Sequence, residues 1–163
     1  MYVFCIVIQC IGIVMALLGL MYLLQQWPSR PQSYMLFLGL SMLINSVGYL
    51  FEITATSLDA ALIATKISYV GKVYIPLLGF FFVLHYCRIK VPKWLGPALA
   101  VVHTAVLVLV LTCEYQDLFY TTLDFEKDGL FPHLEHMHGP VYVGYTALVL
   151  FYSVCMMGVC IYR

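Results

Sequence analysis

Charge is what this sequence has least of. Asp, Glu, Lys and Arg make up 10% of its 163 residues, against about 25% in a soluble domain. The few charges balance, eight basic against eight acidic, and no basic cluster or nucleic-acid motif appears, so nucleic acid is not an expected partner. Catalytic signatures are missing too. There is no G-x-S-x-G, no phosphate-binding glycine loop and no pair of carboxylates in a helix core, so no enzyme chemistry is expected of this stretch and no cofactor is implied. The six cysteines form no framework: Cys5, Cys10, Cys155 and Cys160 fall in apolar runs, Cys87 at the end of one, and Cys113 stands alone near the opposite surface. A lone outer thiol argues against an intrachain disulfide. No internal repeat is evident.

What fills the sequence is apolar side chain: 63% of residues are hydrophobic, with a mean hydropathy of +0.95. No soluble fold of this length hides so much apolar surface, which makes this an integral membrane protein whose first partner is the lipid bilayer. The expected fold is all-α, an antiparallel transmembrane bundle in one domain over residues 1–163. Five spans are read, at about 2–24, 33–53, 58–86, 94–113 and 140–162, since about 20 apolar residues cross a bilayer. The runs are helix-length and lack the alternation of a membrane barrel. The first run has neither a basic leader nor a small-residue cleavage site, and is read as a retained helix. Connections are short, which implies antiparallel neighbours.

Basic residues set the orientation. Arg30, Arg88, Lys90, Lys93 and Arg163 fall in alternate loops or at the C-terminus, whereas the loop between spans four and five carries six acidic residues and Lys127 alone. The positive-inside rule then places the N-terminus outside and the C-terminus in the cytoplasm, across a plasma (inner) membrane. Trp27 and Trp94 suit the cytoplasmic interface. The long loop, 114–139, is expected outside. Its segment Leu118–Phe125 is rich in strand formers, Glu126–Gly129 reads as a turn, and Leu130–Phe131 resumes apolar. That pattern predicts a small β-hairpin over the outer mouth, or an irregular cap.

Glu52, Lys66 and Lys72 sit in or beside apolar runs, where a central charge costs about 2.5–3.5 kcal/mol on insertion scales. Such residues face a bundle interior, a partner or a wet cavity. In span two, Ser41, Asn45, Gly48 and Glu52 share a helix face. Helix-to-helix glue is the preferred role for Ser41 and Gly48, glue or function are equally open for Asn45, and Glu52 is assigned to function or coupling. Span three repeats the pattern with Ala61, Thr65, Ser68, Lys72 and Gly79. Pro76 is expected to kink it and free a carbonyl near position 72. Lys72, deep in the run, calls for a carboxylate or an anionic ligand; a retinal-type Schiff base there has no supporting motif. Two starts are open for the third span. From Leu58, Lys66 lies well below the outer surface; from Ile67, it lies level with Glu52 and faces it across a tight turn, with 54–65 as loop and a protruding turn. The second is preferred.

Tyr142 and Tyr145, with Thr146 and Ser153, lie on one side of span five, where the phenols either line a pocket or merely pack. His103, alone in span four, reads as a hydrogen-bonded packing residue. His133, His136 and His138, with Glu135 between them, have a spacing that weakly matches a zinc site; a solvated, pH-responsive loop is preferred.

Several short motifs stand in order: Trp27-x-x-Arg30, Tyr49-x-x-Glu52, Tyr69-x-Gly71-x-x-x-x-Pro76, Tyr86, and Gly139-Pro140-x-Tyr142. Together, over about residues 25–163, they resemble the seven-helix N-terminal sensor region of prokaryotic histidine kinases and diguanylate cyclases. The resemblance implies a two-component-type sensory input that relays a small ligand or membrane stimulus, generally undefined, to a cytoplasmic kinase or cyclase. That output lies outside this chain, and a homodimer would form through it. The chain departs from the pattern by ending after five spans of seven, by lacking an aromatic residue near Asn45 or Ser46, and by carrying Lys72 where an apolar residue is commoner. Glu52, Lys66, Lys72, Asn45, Tyr69, Pro76, Tyr142 and Tyr145 are the expected ligand or coupling residues. Two other classes remain: a transporter or channel component, which calls for a discontinuous helix and an inverted repeat, neither read here, and a purely structural subunit.

Overall fold

The computed structural model describes residues 2–25, 30–116, 118–126 and 133–162, with the backbone alone at 2, 30, 31, 122–126, 133–136 and 138. Six α-helices account for most of it: α1 (Tyr2–Gln25), α2 (Arg30–Ile53), α3 (Leu58–Lys72), α4 (Ile75–Tyr86), α5 (Leu95–Leu111) and α6 (Pro140–Tyr162). Four helical stretches are long and apolar enough to cross a membrane: Val3–Gln25, Gln32–Ile53, the tandem Leu58–Tyr86, and Pro140–Tyr162. With 17 residues, α5 reaches about 25 Å at 1.5 Å per residue. Large apolar side chains are exposed all along α1 and on α6, Val3, Ile11, Met15, Phe151 and Met157 among them. An aqueous surface does not carry such a continuous apolar coat; the protein is a membrane helix assembly.

At the third span one expectation fails and another is met. Its helix starts at Leu58, not Ile67, because Ser57 in extended conformation caps it and accepts from the Ala60 N–H at 3.3 Å. Residues 58–65 are therefore helix, and the connection from α2 is only 54–57. The other expectation, a distortion set by Pro76 that frees a carbonyl near position 72, is met: a turn at Val73–Tyr74, whose backbones keep right-handed helical angles, separates α3 from α4 within one long span. Pro76 lies in the first turn of α4, where the N–H it lacks is not needed.

Packing centres on the α2–α3 crossing. A Cβ on Gly48 would collide with the Ser68 backbone, and one on Gly71 with the Ser41 carbonyl. Only glycine lets the two backbones come this close. The Ser68 hydroxyl donates to Asn45 Oδ1 at 2.8 Å between these points. On the other side of α2, α1 is tied by Gln9, whose side-chain amide donates to the Ser46 carbonyl at 2.9 Å.

Two apolar clusters fill the bundle. One gathers Leu77, Phe80, Phe81 and Leu84 of α4 around Tyr152 of α6. The other joins Tyr69 and Val73 to Val106 and Val110 of α5, and includes Phe119 and Tyr120 from the long loop. After α5 the chain makes a 3-10 turn (Cys113–Tyr115), then β1 (Tyr120–Glu126) pairs antiparallel with β2 (His133–His138). The register runs from Tyr120 opposite His138 to Glu126 opposite His133, with an irregularity between Tyr120 and Thr122. The expected turn at 126–129 and the apolar pair Leu130–Phe131 fall largely on 127–132, outside the described residues.

Candidate functional site

The turn between α3 and α4 organises the site. Pro76 has no N–H, so the Lys72 carbonyl loses its helical donor, and the turn frees its neighbour as well. The Val73 carbonyl takes two donors from other helices: His103 Nδ1 of α5 at 2.7 Å and the Tyr145 hydroxyl of α6 at 3.2 Å. A carbonyl only accepts, so His103 carries its proton on Nδ1, and in the neutral ring Nε2 accepts from the Tyr152 hydroxyl at 3.2 Å. His103 is fully buried, and its ring stacks on Tyr152 with 5.8 Å between centroids. The break in the third span is therefore held by three side chains on two helices. Tyr74, at the turn itself, is tied to α5 by a 2.9 Å hydrogen bond with the Thr104 hydroxyl.

Above the break stands a tyrosine stack. Tyr120, 2% exposed, donates to the Tyr69 hydroxyl at 2.5 Å. Burial, reinforced by the neighbouring Tyr69, pushes the Tyr120 phenol well above its ordinary range, so it stays a proton donor. Phe119 meets Tyr142 edge-on at 5.4 Å. The start of the long loop thus plugs this end of the bundle.

Lys72 extends toward the N-terminal end of α3, as helical side chains do, and its ammonium lies over the Tyr69 ring, 4.7 Å from the centroid. Glu52 acts on it electrostatically from the end of α2. Beside Lys72, α2, the α3–α4 tandem and α6 line a half-open cavity of about 540 Å³. Its lining includes Lys72, Tyr69, Pro76, Tyr142 and Tyr145, with Leu38 and Met42 from α2.

The sequence-derived residues thus divide. Tyr69, Lys72, Pro76, Tyr142 and Tyr145 converge on one cavity. Asn45 lies in the α2–α3 seam, bonded to Ser68. Lys66 is elsewhere: with α3 beginning at Leu58, its ion pair reaches Glu114 beyond α5 at 2.7 Å. The tight outer turn that was to set Lys66 opposite Glu52 does not exist, because residues 58–65 are helical. The Thr65 hydroxyl, on the same face of α3, is buried with no hydrogen-bond partner among the described residues. His133, His136 and His138 lie on β2, but their side chains fall outside what is described; no metal-holding group of His, Cys, Asp and Glu occurs among the described residues. His103 and Tyr152 were not marked as site residues. The signal for His103 was a lone imidazole in an apolar run, which demands partners; which partners depends on the helix arrangement.

No curated protein and no solved structure matches the chain. The comparison with protein families does find a match, and it begins well before residue 25, taking in α1 as well. The family model for the N-terminal 7TM region of histidine kinase covers residues 5–163, and the chain belongs to that family.

Proposed function

We propose that this chain is a membrane-embedded sensory input domain in which the α3–α4 break is the moving part and the adjoining cavity is where the stimulus acts. The family is a sensory region of histidine kinases and not itself catalytic. The observation that carries the reading is the Val73 carbonyl, a backbone group of the break shared between His103 and Tyr145, the second of which also lines the cavity. A stimulus that favours one arrangement of this junction shifts a two-state equilibrium, and α4 carries the shift to the Arg88–Lys93 loop. In this reading α5 is the fourth of five spans, the N-terminus is outside, and Arg88, Lys90 and Lys93 face a cytoplasmic kinase or cyclase output through which the protein dimerises. Glu52, through its field on Lys72, belongs to the same device. A transporter reading shares the broken span, but it also calls for an inverted repeat, and none is read in the sequence.

The test is made in the protein that carries this region together with its output. Tyr145→Phe removes one of two donors to the Val73 carbonyl, for a stability cost of about 1 kcal/mol. It is expected to change resting output several-fold while the fold persists. Glu52→Gln is expected to blunt the stimulus response. Wild-type output and response in both variants, with folding intact, would sink the proposal.

A further inference from the structure

The cavity beside the break combines apolar walls with one cation. Leu38, Met42, Val149 and Met156 supply the walls, and Lys72 supplies the charge. Its volume, about 540 Å³, falls within the range of small-molecule sites, about 300–1,000 Å³. It admits one acyl chain more readily than a two-chain lipid. The lining belongs to α2, the α3–α4 tandem and α6, all apolar membrane stretches, so the natural route of entry is from the bilayer.

Hydrogen-bond bookkeeping narrows the head group. Three hydroxyls on the wall already donate to carbonyls: Tyr145 to Val73 at 3.2 Å, Thr146 to Tyr142 at 2.9 Å and Ser153 to Val149 at 3.0 Å. Lys72 remains as a donor, its described contact being the face of Tyr69. Tyr69 accepts from Tyr120, which leaves its own proton to offer. Tyr142, also on the wall, is not free. Glu52 acts on Lys72 without closing an ion pair with it among the described contacts. One ammonium and one phenol then match the two oxygens of a carboxylate, where a phosphate or sulfate would ask for more donors. We propose that this cavity binds a long-chain carboxylate from the bilayer, its head on Lys72 and Tyr69 and its chain along α2 and α6. The proposal rests on the sensory reading only for its consequence: a head group at Lys72 lies beside Tyr145 and so touches the device that holds the break.

The test uses the whole chain in nanodiscs of zwitterionic lipid, with a photoactivatable diazirine palmitate as probe. Adducts are expected on α2 and α6 peptides. Unlabelled palmitate is expected to displace the probe about tenfold more effectively than hexadecanol, the worth of one good charged contact. Lys72→Gln removes that preference, Lys72→Arg keeps it, and Gly79→Leu, at a lining position where a Cβ meets only Met156 Sδ at 4.0 Å, abolishes labelling. Equal displacement by the alcohol, an unchanged preference in Lys72→Gln, or labelling confined to the outer face of α1 overturns the proposal. So does displacement by phosphatidylglycerol as effective as by palmitate. Should the variants fail to fold, the palmitate-to-alcohol ratio of the wild type decides alone. Because no output domain is needed, failure here leaves the sensory reading standing, whereas binding without any output change in Tyr145→Phe fails that reading and spares this one.

Discussion

Tyr120 is 2% exposed and donates to Tyr69, and its phenol titrates above the ordinary tyrosine value. The unfolded chain therefore releases this proton first. The stability carried by the buried phenol is whole below about pH 10, the unperturbed value, and is lost as pH rises above it. Unfolding followed in detergent from pH 8 to 11.5 is expected to show a plateau and then a decline, and Tyr120→Phe is expected to flatten part of the decline. An equal decline in the variant would remove Tyr120 from this role. Residue type alone announced some of these parts. Pro76, Lys72 and the tyrosines of α6 were legible as unusual for lipid. The partners of Lys66 and His103 were not, because Glu114 and Val73 are 48 and 30 residues away, and nothing local encodes them.

At the scale of elements, the α2–α3 seam depends on two glycines in a way that other glycines do not share. Gly48 and Gly71 each face backbone, whereas a Cβ at Gly79 meets only Met156 Sδ at 4.0 Å. Gly71→Ala is expected to destabilise by about 1–3 kcal/mol through overpacking, and Gly79→Ala by far less. Thermal unfolding of the two variants side by side checks this; equal losses would mean the seam relaxes. The small-residue stripe of span two was legible from spacing, since i, i+4, i+7 positions share a face. The break in span three was only half legible. Proline announced the distortion and the freed carbonyl, but which donors satisfy that carbonyl was not legible, because they lie on α5 and α6.

For the whole molecule, the distribution of Lys and Arg gives an orientation that labelling can check. In a cysteine-free background, Thr121→Cys is expected to react with a membrane-impermeant maleimide on intact cells, and Lys90→Cys only after permeabilisation. The reverse pattern would invert the topology and place the cavity's Lys72 end toward the cytoplasm. The outer loop is part of the bundle at this scale: Phe119 is fully buried with Tyr69 and Val110. Its aromatic content marked it as more than a linker, and the tertiary structure turned that hint into a plug.

Class, the low charge and the polar stripes followed from the sequence by itself, because lipid imposes the same composition on every residue that faces it and helical period fixes which residues share a face. Where α3 starts was decided by a cap, and where span three breaks by donors from distant helices. That Lys66 serves an outer ion pair while Lys72 serves a cavity was decided by which helices lie side by side. Those are long-range facts: a buried carbonyl or ammonium demands a partner, but only the packed bundle says which one.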